Sequence, residues 1–75
     1  MNEEIFYRKN STGHLFAMCS PNGWHIEVTN HNGLENISYR DWAVTDSVFT
    51  QPATKEEFCN AYNAVYYKLT NKVMQ

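Results

Sequence analysis

A helical pattern runs through residues 54–72, which read TKEEFCNAYNAVYYKLTNK. Thr54 and Glu57 have the spacing of a capping box. In this motif the threonine hydroxyl accepts a hydrogen bond from the glutamate amide, and the glutamate carboxylate accepts one from the threonine amide. Pro52 disfavours an earlier start, because the residue before a proline is pushed out of the α region. The pattern therefore predicts a helix over residues 55–72.

The apolar side chains of this segment fall on one side of the predicted helix. With Phe58 set at 0° and an advance of about 100° per residue, the other large apolar residues lie within about 60° of it. A helix with one apolar stripe buries that stripe against a second layer of structure. The stripe consists of Phe58, Tyr62, Val65, Leu69 and Val73.

The residues before the helix alternate between strand-forming runs and turn signals. Trp24, Ile26 and Val28 alternate with polar residues, which is the pattern of a half-buried strand. The turns combine proline, asparagine and glycine, as in the SPNG sequence at 20–23. The strand-forming runs are residues 5–9, 14–19, 24–30 and 34–39.

Tight links between successive strands favour an antiparallel meander. We predict an α+β fold, with a small antiparallel meander sheet of three to four strands and one C-terminal helix packed across one face. The strands lie between about residues 4 and 49, and residues 1–75 form a single domain. Residues 42–49 either extend the last strand or replace it. Such a fold leaves two unpaired sheet edges and one face without a covering layer.

The composition is that of a small globular protein with an aromatic core. The chain has 75 residues, 43% of them hydrophobic, with 4 Phe, 2 Trp and 5 Tyr. Each ring can bury roughly 150–250 Å², which compensates for few aliphatic side chains. The length excludes a large substrate-enclosing enzyme, and no run is apolar enough to span a membrane. The acidic N-terminus lacks the features of a signal peptide, so we expect a cytoplasmic protein.

Four residues are candidates for metal or thiol chemistry, namely Cys19, His25, His31 and Cys59. Their spacing lacks the close ligand pairs of structural zinc sites, and no motif fixes a cysteine beside a histidine for nucleophilic catalysis. We therefore predict no metal, no cofactor and no enzymatic activity. The cysteines are expected to be small core side chains, and the histidines to lie on turns or solvent faces. A small metal or thiol protein is the last of the alternatives.

The residues expected to bind a partner are large side chains on predicted solvent surfaces. Tyr67 lies opposite the apolar stripe, beside Asn60 and Asn63, and tyrosine is enriched in interface cores. Trp42 and Arg40 are the residue types that dominate interface hot spots. These residues predict a small non-enzymatic intracellular protein–protein interaction module, an accessory or inhibitor protein that occupies a partner's surface.

Two further hypotheses concern nucleic acid and self-association. Small sheet proteins bind single-stranded nucleic acid by stacking bases on exposed rings, and Phe6, Tyr7, Arg8 and Lys9 are the candidates here. The net charge of −2 opposes a site held on phosphates, so this is the alternative to protein binding. A chain near the lower size limit often gains stability by oligomerising, so a homo-oligomer is a secondary expectation.

Overall fold

The computed structural model describes residues 4–44 and 47–74, which form one sheet and one helix. The elements are β1 (Phe6–Lys9), β2 (Leu15–Cys19), β3 (His25–Thr29), β4 (Asn36–Arg40), β5 (Gln51–Ala53) and α1 (Lys55–Met74). The strands are all antiparallel and lie in the order β4-β3-β2-β1-β5, and α1 packs across one face of the sheet. The α+β class and the C-terminal helix over an antiparallel sheet are confirmed.

The first four strands form the predicted meander. The turn between β2 and β3 shows why the chain reverses where it does. The Gly23 amide donates to the Ser20 carbonyl at 3.2 Å, and the Asn22 amide donates to Ser20 Oγ at 2.9 Å. Gly23 has a φ of 100°, which a residue without a Cβ adopts at little steric cost.

Strand alternation divides the side chains of the sheet between two faces. We call the face that carries α1 the helix face, and the other the strap face. The upper end of the sheet is the end at Thr29 and Asn36, and the lower end is that at His25 and Arg40. The pairing of the strands places two rows on the helix face, Lys9, Phe16, Val28 and Ile37 above, and Tyr7, Met18, Ile26 and Tyr39 below.

The predicted stripe of α1 docks on the helix face. Phe58 and Val65 are buried together with Val28 of the sheet, and Tyr62 and Leu69 pack partly buried against them. Burying each large apolar side chain stabilises the fold by about 1.5–3 kcal/mol. The side chain of Val73, the last residue of the predicted stripe, lies outside the described part of the chain.

The capping box forms as predicted. The Glu57 amide donates to Thr54 Oγ1 at 3.0 Å, and the Thr54 amide donates to Glu57 Oε1 at 2.8 Å. The helix begins at Lys55 and ends at Met74, slightly beyond the predicted end at residue 72. None of the helices in the described residues has the length and apolar character needed to cross a bilayer.

The sheet has one strand more than the prediction of three to four strands ending by residue 49. The additional strand, β5, pairs with β1, with Tyr7 opposite Ala53 and Lys9 opposite Gln51. Its three residues include Pro52, so the sequence shows no alternation there. A proline is tolerated in an edge strand, where a missing amide leaves no ladder bond unmade. The pairing comes from the free edge of β1 and not from a local strand signal.

The connection from β4 to β5 covers the strap face, so the predictions of a strand at 42–49 and of an uncovered face are wrong. We call residues 41–50 the strap, and its described residues, 41–44 and 47–50, contain no strand. Because β4 and β5 lie at opposite edges, the strap must cross the sheet. Phe49 is buried against Ala17 and Cys19, with Val44 packed beside them. Both faces of the sheet therefore carry a covering segment, α1 on one and the strap on the other.

Candidate functional site: an aromatic groove beside the helix

The helix covers the upper half of the sheet and leaves the lower half of the helix face partly bare. Lys9 Nζ contacts Glu57 Oε2 at 2.8 Å, which holds the first turn beside the end of β1. Lys68 Nζ contacts Glu35 Oε2 at 3.4 Å, which holds a later turn beside the start of β4. Both contacts lie at the upper end of the sheet, so α1 crosses the strands there.

A groove of about 290 Å³ opens between the lower flank of α1 and the lower half of the sheet. Its walls are apolar except for the Asn63 amide, the Tyr62 hydroxyl and the Cys59 thiol, and none of the described residues that line it is a lysine, arginine, aspartate or glutamate. We call it the aromatic groove. The lining residues are Met18, Ile26, Phe58, Cys59, Tyr62 and Asn63.

A pair of aromatic rings stands on each side of the aromatic groove. On the helix side, Tyr62 and Tyr66 stack with ring centroids 6.2 Å apart and planes at 6°. On the sheet side, Trp24 and Tyr39 are tilted with centroids 5.9 Å apart. Tyr66 is 56% exposed and Tyr39 is 60% exposed. The two ring pairs extend the apolar surface of the groove beyond its walls.

The chemistry of the aromatic groove suits recognition. It is open, and the described residues that line it carry no charge. An apolar side chain entering it would contact rings and thioether or thiol sulfur, while tyrosine hydroxyls and the Asn63 amide offer hydrogen bonds. Tyrosine, tryptophan and methionine are the residues enriched at protein interfaces.

The predicted partner-binding residues of the helix lie on different sides of it. Tyr67 is 66% exposed on the outer side, as the helical pattern predicts. Asn63 lines the aromatic groove. Asn60 lies on the upper flank, in a shallow depression with Gly13 and Glu57. Asn63 is therefore the one residue of these three at the groove.

Arg40 and Trp42 meet each other on the strap side of the sheet. The Arg40 guanidinium carbon lies 5.7 Å from the Trp42 ring centroid, and Trp42 is 56% exposed. The sheet separates them from the helix, so the structure does not bring the five predicted residues into one surface.

His25 is buried, which corrects the expectation of a histidine on a turn or a solvent face. It is 1% exposed, with Nδ1 2.6 Å from the Trp42 carbonyl oxygen and Nε2 2.9 Å from Glu27 Oε2. The other Glu27 oxygen lies 3.8 Å from Arg40 Nε. These contacts anchor the first turn of the strap to β3 and β4, so His25 has a structural role.

The candidates for nucleic-acid binding alternate between the two faces of β1. Tyr7 packs under the helix, with its ring 5.5 Å from Phe58. Arg8 donates from Nε and Nη2 to the Phe49 carbonyl at 3.1 and 2.9 Å, and Lys9 pairs with Glu57. Phe6 is 46% exposed. The four residues do not form one stacking surface.

The two cysteines lie on opposite sides of the sheet as free thiols. Cys19 is buried under the strap, and burial raises the pKa of its thiol to about 11, with the positive charge of Arg8 acting weakly in the other direction. Cys59 lies half-buried on α1. Across residues 4–44 and 47–74, no three His, Cys, Asp or Glu residues are grouped as metal ligands.

The sequence pattern does not reveal Trp24, Tyr39 and Tyr66 as members of a site. Their alternation and helical angle place them beside the core, and the sequence does not show how much of the sheet one helix covers. Comparisons of this chain with protein-family models, with curated proteins and with solved structures found no match.

Proposed function

We propose that the protein is a non-enzymatic protein–protein interaction module that receives an apolar segment of its partner in the aromatic groove. The observation that supports this best is the pair of exposed tyrosines, Tyr39 and Tyr66, on the two sides of an uncharged apolar groove. A contiguous apolar surface of this kind is typical of interaction sites on small proteins.

The energetics favour a partner at this surface. Each ring left in water forgoes hydrophobic stabilisation, at about 25 cal/mol for each Å² of apolar surface. A chain of 75 residues has little stability to spare, since it buries only about 60% of its unfolded surface. A partner that covers Tyr39 and Tyr66 recovers this free energy on binding.

The proposed mode of action is occupation of a partner's surface, as expected of an accessory or inhibitor protein. We place this activity in the cytoplasm, because both cysteines are free and lie on opposite sides of the sheet. Free thiols agree with a reducing compartment.

The test is quantitative capture of partner proteins from the native host with wild type and with Tyr66→Ser. We expect Tyr66→Ser to lose the specific partners, because it removes an exposed ring beside the groove without disturbing a buried residue. Leu34→Ser is the matched control, since Leu34 is 63% exposed in the loop at the upper end. Equal capture by wild type and Tyr66→Ser would overturn the groove as the binding site.

Tyr67 provides a second comparison. Tyr67→Ala should leave circular dichroism and the unfolding midpoint unchanged, because the side chain is 66% exposed. Weaker capture by this variant would extend the binding surface from the groove to the outer side of α1. Unfolding of this variant would contradict the exposed position of the ring.

A further inference from the structure

β4 is an open edge of the sheet. It stands last in the strand order, and none of the described strands pairs with its outer side. Its five residues, NISYR, include neither proline nor lysine, the residues that commonly protect an edge. The opposite edge strand, β5, is three residues long with Pro52 at its centre. Of the two edges, β4 is the better template for an added strand.

A hydrogen bond beside β3 shows which backbone groups of β4 face outward. The Asn30 amide donates to the His14 carbonyl at 2.8 Å, in line with the β2–β3 ladder. Along an antiparallel ladder, residue pairs that are hydrogen-bonded to each other alternate with pairs that are not. The backbone groups of even-numbered β3 residues therefore bond to β2, and those of odd-numbered β3 residues bond to β4. The odd-numbered β3 residues are paired with the even-numbered residues of β4. The amides and carbonyls of Ile37 and Tyr39 therefore point away from the sheet.

We propose that β4 pairs antiparallel with β4 of a second copy of the chain, with Tyr39 opposite the partner's Tyr39. The outward groups of Tyr39 and Ile37 then supply the hydrogen bonds between the two sheets. This inference rests on the proposed function and deepens it, because it names a second copy as the protein that covers the aromatic groove.

The charges along β4 favour this register. A register centred on Ser38 would place Asp41 opposite the partner's Glu35, and like charges directly opposite each other are destabilising. With Tyr39 at the two-fold axis, Asp41 stands opposite the partner's Ile37, and no like charges are opposed along the strand.

The position of α1 favours the same register. The helix lies over the upper half of the sheet, so an axis at Ser38 or Ile37 brings the two helices into the same space. An axis at Tyr39 lies in the bare lower half, and the helices then run on either side of it. Packed helices need about 8–10 Å between their axes. The two aromatic grooves become one strip, flanked by Tyr66 and the partner's Tyr66.

The available area makes this a weak dimer. A ring can bury roughly 150–250 Å², so the exposed fractions of Tyr39 and Tyr66 contribute about 170–290 Å² from each copy. The partly buried groove residues and the strand edge add to this area, so the interface is small compared with the roughly 1,000 Å² that a specific interface needs. We expect a dissociation constant on the order of 10–100 µM.

The test is sedimentation equilibrium of wild type, Tyr39→Lys and Tyr67→Lys from about 10 µM to about 1 mM protein. Wild type and Tyr67→Lys should dimerise equally, whereas Tyr39→Lys should weaken association at least about tenfold, because it sets two lysines opposite each other. Both positions are exposed, so both variants should fold. A wild type that stays monomeric, or a dimer that tolerates Tyr39→Lys, overturns the proposal.

A cysteine placed at Tyr39 tests the register. In the proposed dimer the two Tyr39 Cα atoms are about 5.5 Å apart, which a disulfide can span. Mild oxidation should cross-link Tyr39→Cys through residue 39 and should not cross-link Leu34→Cys through residue 34, as peptide mass spectrometry of the bridged fragments identifies. A dimer without the cross-link at residue 39 overturns the register. If wild type is monomeric but Tyr66→Ser still loses captured partners, the self-pairing fails and the proposed function stands. If capture is unaffected by Tyr66→Ser, the proposed function fails.

Discussion

At the scale of single residues, His25 links the strap to the sheet. Its two ring nitrogens face the Trp42 carbonyl at 2.6 Å and Glu27 Oε2 at 2.9 Å, both of which are acceptors. These two contacts connect the start of the strap to β3 through a side chain that is only 1% exposed.

Replacing His25 removes both contacts and leaves the Trp42 carbonyl without this partner. We expect His25→Leu to lower the free energy of unfolding by about 1–3 kcal/mol, because a buried polar group that loses its hydrogen-bond partner costs about that much. Urea denaturation measures this loss. His14→Leu, at an exposed position, is the control and should change the midpoint little. A midpoint for His25→Leu equal to that of His14→Leu would contradict the role of His25.

Cys19 and Cys59 should differ sharply in reactivity. Burial raises the pKa of Cys19 to about 11 from its ordinary value of 9.0, so the folded protein keeps this thiol protonated and covered. At pH 8 we expect one alkylated cysteine per folded chain, Cys59, and two in urea. Mass spectrometry counts the labels, and modification of Cys19 in the folded protein would show that the strap does not enclose it.

The same pKa shift gives a pH dependence of stability. Above pH 9 the unfolded chain releases the Cys19 proton while the folded chain retains it until about pH 11. The unfolded state is therefore favoured increasingly as pH rises through this window. Wild type should lose stability relative to Cys19→Ala between pH 9 and 11, and parallel curves for the two proteins would refute the linkage.

At the scale of elements, the strap is a packing layer and not a loose connection. Phe49 is 2% exposed against Ala17 and Cys19. Phe49→Ala should destabilise the protein by about 3–5 kcal/mol through lost burial and the cavity left behind. Val48→Ala is the matched control, because Val48 is 42% exposed in the same segment. Thermal unfolding separates the two, and similar midpoints for both variants would contradict a packed strap.

The start of α1 combines a cap with a tertiary contact. Thr54→Ala should lower the free energy of unfolding by about 1 kcal/mol, because the Glu57 amide then loses the Thr54 hydroxyl to which it donates. The side-chain bond from Lys9, and then the Thr54 amide, lower the pKa of Glu57 below its ordinary value of 4.5. The stabilisation by this carboxylate is present above that value and is lost as pH falls through the folded pKa.

Glu57→Gln tests this dependence on pH. The variant should be less stable than wild type at pH 6, and the difference should shrink as the pH falls below about 4.5. Denaturant titrations at several pH values measure the difference. A gap that stays constant down to pH 3 would show that the carboxylate charge is not what stabilises the helix start.

At the scale of the whole molecule, one sheet supports both layers. Alternate residues of β2 and β3 face α1 and the strap, so neither layer can detach without exposing the strands that hold the other. We therefore expect a single cooperative unfolding transition. Trp24 reports on the helix face through its contact with Tyr39, and Trp42 reports on the strap through its carbonyl bond to His25.

Fluorescence of Trp24→Phe and Trp42→Phe isolates one probe in each variant. In each variant, the unfolding transition measured by the fluorescence of the remaining tryptophan should coincide with the transition measured by helical circular dichroism on the same variant. An earlier transition of Trp42 would mean that the strap opens before the sheet and helix unfold.

One part of the candidate site could be predicted from the sequence, and the other part depends on the tertiary structure. The helical angle in the sequence places Tyr67 in solvent, and the structure agrees. The aromatic groove depends on where α1 crosses the sheet, and the Lys9–Glu57 and Lys68–Glu35 contacts mark that position. These pairs join residues far apart in the chain, so no local pattern reveals that the lower half of the sheet is bare.

Local patterns were sufficient for the elements and their faces. Period-2 alternation, turn residues and the capping box act over a few neighbouring residues, so the sequence by itself determined four strands, the hairpin turns and the docked stripe of the helix. Only the tertiary structure decided the place of β5, the closure of the strap face, the burial of His25 and the outward position of Tyr39. Each of these depends on contacts between segments that are distant in the chain. The free energy of such contacts outweighs the local preference of a segment for helix or strand, and the contacts produce no periodic pattern of apolar residues.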